Sequence, residues 1–171
     1  MIKFGIMQGR IYPDSFSKYN LFPTKWAEEF YLSNKIGFNY MELIYDKKQN
    51  KKNPIVNTKL NSIFFRRIIQ NKVYSINLDY FTQNSIFNNL VKSKKIIKKI
   101  ISIANKLKIK IIVIPCIEKN YMSQDRLINF IDIIKKLIKN QYSSISLEVQ
   151  DFDERVLKNF VIQARALFQE L

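Results

Sequence analysis

Glu42 and Glu148 each sit inside a short apolar run, Tyr-Met-Glu-Leu-Ile at residues 40–44 and Ile-Ser-Leu-Glu-Val at 145–149. A carboxylate in such a run is costly to bury unless a cation, a hydrogen-bond donor or a metal ion compensates it. The two glutamates therefore point to acid–base chemistry, to a hard cation, or to a structural pairing with a neighbouring Arg or Lys. Other polar residues sit in equivalent places. Gln8 and Arg10 follow the run at 3–7, Asp46 follows Glu42, and Asn77 and Asp79 end the run at 73–79. Glu118 follows the run at 110–115 and Gln150 follows Glu148. Five of the 14 acidic residues thus lie at the ends of β-branched runs, in a chain whose formal net charge is +15. The chain has no histidine, which removes the commonest general base and the commonest metal ligand. Without one to activate it, Cys116 reads as a packed thiol rather than a nucleophile. The three glycines, Gly5, Gly9 and Gly37, do not make a GxGxxG spacing, and no Gly-Lys-Ser/Thr loop exists, so a nucleotide-binding sheet is poorly supported.

Those residues need strands to carry them. Five β-branched runs, at about 2–8, 39–45, 73–79, 110–115 and 145–149, each precede a stretch with helical spacing. The first helix opens after Pro23, with Thr24 as N-cap and Glu28 and Glu29 at its positive end, and stops at Gly37 as a C′ residue. The second is capped by Asn57 or Thr58 and ends at Asn71. The third spans 90–107, with Ile96, Ile97, Ile100, Ala104 and Leu107 inward and Lys95, Lys99 and Lys106 outward. The fourth follows a Ser123 cap, and the fifth covers 153–171. Five strand–helix units without hairpin signals predict a parallel sheet with right-handed crossovers. Two architectures fit: a five-stranded doubly wound sheet of flavodoxin type, or the first five units of a (β/α)8 barrel. Both place the active site at the carboxyl ends of the strands, where the polar residues lie.

The 171 residues, 47% of them hydrophobic, suit a single domain over 1–171. One cysteine and no cleavable leader pattern predict a cytoplasmic protein, and the apolar runs are too short to span a bilayer, so no membrane partner is expected. The positive charge is mainly lysine spread over the helical stretches. It reads as a solvated surface more readily than as a nucleic-acid patch.

The strand-end segments resemble those of the sugar phosphate isomerases and epimerases of the xylose isomerase-like barrel superfamily. The resemblance rests on Gly5-Ile-Met-Gln-Gly-Arg10, on Phe22-Pro-Thr-Lys-Trp26 running into Glu28-Glu29-Phe30, and on Ile36-Gly-Phe-Asn-Tyr-Met-Glu-Leu43 with Asp46. Asn53-Pro54, residues 75–81 and 112–115, and Ile145-Ser-Leu-Glu148 complete it, covering nearly the whole chain in order. It implies an enzyme that moves a proton between adjacent carbons of a small sugar or sugar phosphate through an enediolate. It also implies a divalent ion (Mn, Mg, Co or Zn). Glu148 would be the first metal ligand and one member of the acid–base pair, with Gln8, Arg10 and Glu42 on the substrate side. The family's remaining ligands belong to strands six to eight. The resemblance therefore implies a barrel domain truncated after its fifth unit, a gene fragment, frameshift product or part of a split enzyme, inactive alone. Its open edges would then associate with one another or with a complementing chain. The second reading is a nucleic-acid-binding or abasic-site endonuclease-like barrel, which the charge favours and the carboxylate-rich strand ends oppose.

Overall fold

The β-branched runs pair side by side in the order in which they occur along the chain. The computed structural model describes residues 3–11, 25–46, 53, 55, 72–138 and 144–149. Its strands are β1 (Gly5–Met7), β2 (Tyr40–Ile44), β3 (Val73–Asn77), β4 (Ile111–Cys116) and β5 (Ser144–Val149), joined in one sheet of order β1-β2-β3-β4-β5. Every neighbouring pair is parallel. The helices are α1 (Trp26–Ile36), the short α2 (Tyr80–Gln83), α3 (Leu90–Leu107) and α4 (Gln124–Ile138). The protein is α/β with an all-parallel sheet, as the alternation of periods predicts. The expected helices at 57–71 and 153–171 lie outside the described residues, as does Thr24.

Local chemistry accounts for the boundaries. Gly37 adopts φ +104 and its N–H reaches back to the Asn34 carbonyl, while Phe38 N–H reaches Ser33. This is the left-handed helix end that a residue without Cβ adopts at low cost. At the other end of α1, Lys25 rather than Thr24 occupies the cap position, and it makes no side-chain capping bond. Asn89 caps α3 by accepting the Lys92 N–H at 3.0 Å. The third strand is shorter than its pattern suggests. Asp79 already has helical dihedrals and begins α2, because Leu78 N–H bonds the Val113 carbonyl and Phe81 N–H then turns back to Leu78.

Alternation sorts the sheet into two faces. Met41, Leu43, Ile76, Ile112 and Ile114 are buried in one cluster with Phe30 of α1, Ile97 and Ile100 of α3, and Phe130 and Ile134 of α4. Three crossover helices thus pack on the same face. The opposite face carries Met7, Glu42, Ser75, Ile111, Val113 and Ser146, none of them buried, together with Asn77 and Pro115, which are. Ile44, buried on that side, takes no part in the helix-side cluster. The inward stripe expected for α3 is largely the one observed: Ile96, Ile97, Ile100 and Ala104 are buried and Lys95 and Lys106 exposed, while Leu107 and Lys99 are each half-buried.

Candidate functional site at the carboxyl ends of the strands

β1 ends two residues before its neighbour, and side-chain amides make up the difference. Gln8 N–H bonds the Glu42 carbonyl at 2.9 Å, after which the backbone turns away at Gly9, φ +82. Ile44 would then be left with two ladder groups unpaired. Its N–H donates instead to Gln8 Oε1 at 3.4 Å, and its carbonyl accepts from Asn53 Nδ2 at 2.9 Å. Asn53 in turn accepts the Ile55 N–H at 2.8 Å. Gln8 and Asn53 are fully buried, so these bonds stand in for strand pairing where water does not reach.

The turn after β1 is held by a residue that sequence reasoning treated only as a helix-end charge. Glu29 is completely buried on α1, and its Oε1 accepts from Gly9 N–H at 2.7 Å and Ile11 N–H at 3.1 Å. Charge-assisted bonds to two amides fix the loop bearing Arg10 to the helix that follows it. A signal was available in the spacing. Glu29 lies three residues after Trp26 and four before Ser33, on the inward stripe with Phe30, where a carboxylate needs partners. Three buried polar atoms at this end have no hydrogen-bond partner among the described residues: Gln8 Nε2, Glu29 Oε2 and Asn77 Oδ1. Exposed Arg10 directs a guanidinium nitrogen to Met7 Sδ at 3.5 Å.

The sheet register decides which predicted residues share a level. Met7, Glu42, Ser75, Ile111 and Ser144 form one row across the sheet. Ile44, Asn77, Val113 and Ser146 form the row above it. Glu148 lies opposite Pro115, two residues higher again. Glu42 and Glu148 are therefore four residues apart along the strand direction, about 13 Å, and three strands apart, about 14 Å. The register sets Glu148 at the rim and Glu42 in the middle of the sheet. Glu42 is half-buried, and Ser75 Oγ donates to its Oε2 at 2.6 Å. A hydroxyl is thus its partner, where an Arg or Lys was the simple expectation. For Glu148 the structure describes the place in β5 and not the side chain.

Around the rim, Asp46 is buried beside Tyr45, and Tyr45 packs on Tyr80 with ring centroids 6.1 Å apart. Burial, then the neighbouring Tyr80 and Asp46, raise the Tyr45 phenol above its usual range. Asn120 is buried after β4, where it donates to the Pro115 carbonyl and accepts the Ile86 N–H at 3.0 Å. Glu118 is exposed and accepts from Gln83 Nε2 at 2.7 Å. Cys116 is buried within β4, with its Sγ 3.7 Å from the Ile114 carbonyl, in keeping with a packed thiol.

The metal implied by the resemblance needs a cluster of hard donors. Among the described residues, no three His, Cys, Asp or Glu side chains come together to hold an ion. The donor set is incomplete among them. What the arrangement does provide is a rim of polar side chains, amides and carboxylates, at the carboxyl ends of the strands. No family model and no curated protein matches the chain.

Proposed function

We propose that these five strands are part of the wall of a xylose isomerase-like (β/α)8 barrel. In this reading the protein acts on a small sugar or sugar phosphate as an isomerase or epimerase. One observation carries it. The strands run in chain order with three crossover helices packed on one face, leaving a face lined by Glu42, Ser75 and Asn77. A flavodoxin-type sheet reverses its order at β1 and distributes helices to both faces. A barrel keeps sequential order with its helices outside. Glu148, at the rim of β5, is the proposed base that takes a proton from the carbon next to a carbonyl, forming an enediolate, and returns one to the neighbouring carbon. Of the three residues expected on the substrate side, Arg10 and Glu42 are proposed to meet substrate, with Arg10 the natural partner for a phosphate. Gln8, buried and bonded to the Ile44 backbone, holds the strand end beside them. Hard divalent ions of the kind implied by the resemblance stabilise enediolates when bound. The described residues do not complete a site for one, and the proton steps are assigned to the chain's own carboxylate.

Proton transfer through an enediolate exchanges the migrating proton with solvent. The test is proton NMR of aldose and ketose phosphates in deuterium oxide, with and without Mn, Mg, Co or Zn ions. The expected result is loss of the signal at the carbon beside the carbonyl, with Glu148→Gln slowing that loss at least about 100-fold, the usual scale for an acid–base residue. Absence of exchange under every condition, or exchange indifferent to Glu148→Gln, would overturn the proposal.

A further inference from the structure

The opposite end of the sheet has a different chemistry. We propose that the amino-end face, formed around Phe4, Ile36, Tyr40 and Tyr74, docks on an anionic lipid bilayer. Short bonds tie the segments at this end together. Asn39 and Tyr40 N–H groups both reach the Phe4 carbonyl, and Lys72 Nζ ties the start of β3 to Asn34 at the end of α1 at 2.6 Å. The register slips between Met41 and Glu42, which pair with Val73 and Ser75, so Tyr74 is an extra residue in β3. Such a bulge re-aims the side chain it adds. Tyr74 stacks on Tyr40 with ring centroids 5.0 Å apart, and Lys3 Nζ lies 5.7 Å from the Tyr40 ring. At the same end of the sheet two apolar side chains stand in solvent, Phe4 at 61% exposure and Ile36 at 62%, with Tyr74 at 38%.

Lysines surround these tips. Lys35 and Lys106 end α1 and α3; Lys3, Lys72 and Lys110 precede strands; Lys108 follows α3. Cations at helix ends offset the helix dipole, which accounts for Lys35 and Lys106 but not for the lysines that precede strands. The described acids lie elsewhere. Glu28, Glu29 and Asp125 are in first turns at the other end, Asp46, Asp79, Glu118 and Glu148 are at or beyond the carboxyl-end rim, and Glu42 and Asp132 are midway. The described carboxylates are thus polarised along the strands, away from the amino end. Lysines (Lys25, Lys92 and Lys119) and exposed apolar residues (Val91 and Tyr121) also occur at the carboxyl end, so it is the absence of acids among the described residues that sets the amino end apart.

A bilayer fits this surface better than a nucleic acid. Phosphate recognition on nucleic acids favours the forked guanidinium, and the described arginines, Arg10 and Arg126, both lie at the other end. Base stacking needs free ring faces, whereas Tyr40 and Tyr74 cover each other and Lys3 lies over Tyr40. Aliphatic tips, amphipathic aromatics and lysines on flexible stems match the hydrocarbon boundary, the headgroup layer and the anionic surface in turn. The expectation of no membrane partner rests on the lack of a spanning run, and the contact proposed is peripheral: no helix among the described residues is long and apolar enough to cross a membrane.

The test is co-sedimentation of the full chain with vesicles of phosphatidylcholine alone or mixed with phosphatidylserine. Binding should require phosphatidylserine and fall steeply with added salt. A lysine near an anionic surface is worth about a fivefold change in partition, so Lys3→Gln/Lys108→Gln/Lys110→Gln should weaken binding about 100-fold. Phe4→Ser/Ile36→Ser should weaken it at unchanged net charge. Lys94→Gln/Lys98→Gln, which removes two lysines in the body of α3, should leave most of the binding intact. Circular dichroism matching the parent excludes misfolding as the cause. Equal binding to neutral vesicles, or equal loss from the α3 control, would overturn the proposal. So would failure to bind vesicles while an oligothymidylate binds through the same residues.

Discussion

The two faces of the sheet are built from adjacent residues of the same strands, yet they have different neighbours. In β4, Ile112 and Ile114 are buried beneath α3 and α4, while Ile111 and Val113 on the alternate positions are only half-buried. In β2, Met41 and Leu43 join the helix-side core, whereas Glu42 faces Ser75 on the other side. The difference shows that β-branched composition alone does not say how a strand is covered. Val-Ile-rich runs suit burial on both faces, and here the described helices cover one. The second face is where the proposed barrel would have its interior.

Substitutions on neighbouring residues can break that comparison, and the largest effect should come from β4. Ile112→Lys puts an uncompensated charge into the helix-side core and should remove cooperative unfolding altogether, a loss above about 4 kcal/mol. Val113→Lys, one residue on, should cost about 1 kcal/mol, since a lysine stem can lie along the open face and keep its ammonium in water. Urea denaturation followed by circular dichroism distinguishes the two. Equal losses would mean that both faces are covered. The same pair bears on association. If the open face and the edges at β1 and β5 join copies of this chain, sedimentation velocity should show concentration-dependent association that Val113→Lys reverses. A compact monomer at all concentrations would instead favour a self-sufficient five-stranded sheet.

A smaller effect is expected on the open side near Ile44. Asn53→Ala removes the donor for the buried Ile44 carbonyl and the acceptor for Ile55 N–H, and should cost about 2 kcal/mol. A loss below about 0.5 kcal/mol would show that water reaches this strand end. pH gives a further test. Tyr45 holds its proton more tightly in the folded chain than in the unfolded one. Its contribution is therefore complete below the phenol's ordinary value near 10 and is lost as pH rises through the higher folded value. Unfolding free energy should fall in that alkaline window, and less steeply in Tyr45→Phe. The smallest effect concerns the two helix ends. Gly37 takes its left-handed conformation at ease, but Lys108 adopts φ +56 at the equivalent position after α3. Lys108→Gly should stabilise the protein by about 1 kcal/mol, read as a raised midpoint in thermal unfolding.

Periodicity carried most of the fold. The five runs became the five strands, the limits of α3 agree with its hydrophobic stripe, and the Gly37 stop is where a residue without Cβ was required. What periodicity could not show was pairing. Order and register arise from contacts between distant segments, so the separation of Glu42 from Glu148 by four residues of strand was invisible in one dimension. The short helix after Asp79 was missed for a related reason. Its backbone turns to follow a tertiary bond from Leu78 to Val113, which leaves no local pattern. Among candidate residues, Gln8 was legible as a polar residue after an apolar strand, although its observed bond is to the Ile44 backbone. Glu29 was obscured by an equally good surface explanation, the helix dipole, and its inward spacing was the stronger clue. Asn53 and Asn120 cap backbone groups, a role that any surface asparagine could equally have had.

Strand order that matches chain order also bears on how the molecule is made. Each strand finds its partner in the unit just synthesised, one crossover away, so no early segment must wait for a late one before its backbone is paired. β2 can add to β1, β3 to β2 and so on, with each arriving helix covering the pair behind it. Growth of this kind is stepwise, and at every stage the newest strand is an exposed edge, opposite the one at β1. The unpaired amides of that edge, rather than the finished core, would set the moment of greatest risk during synthesis.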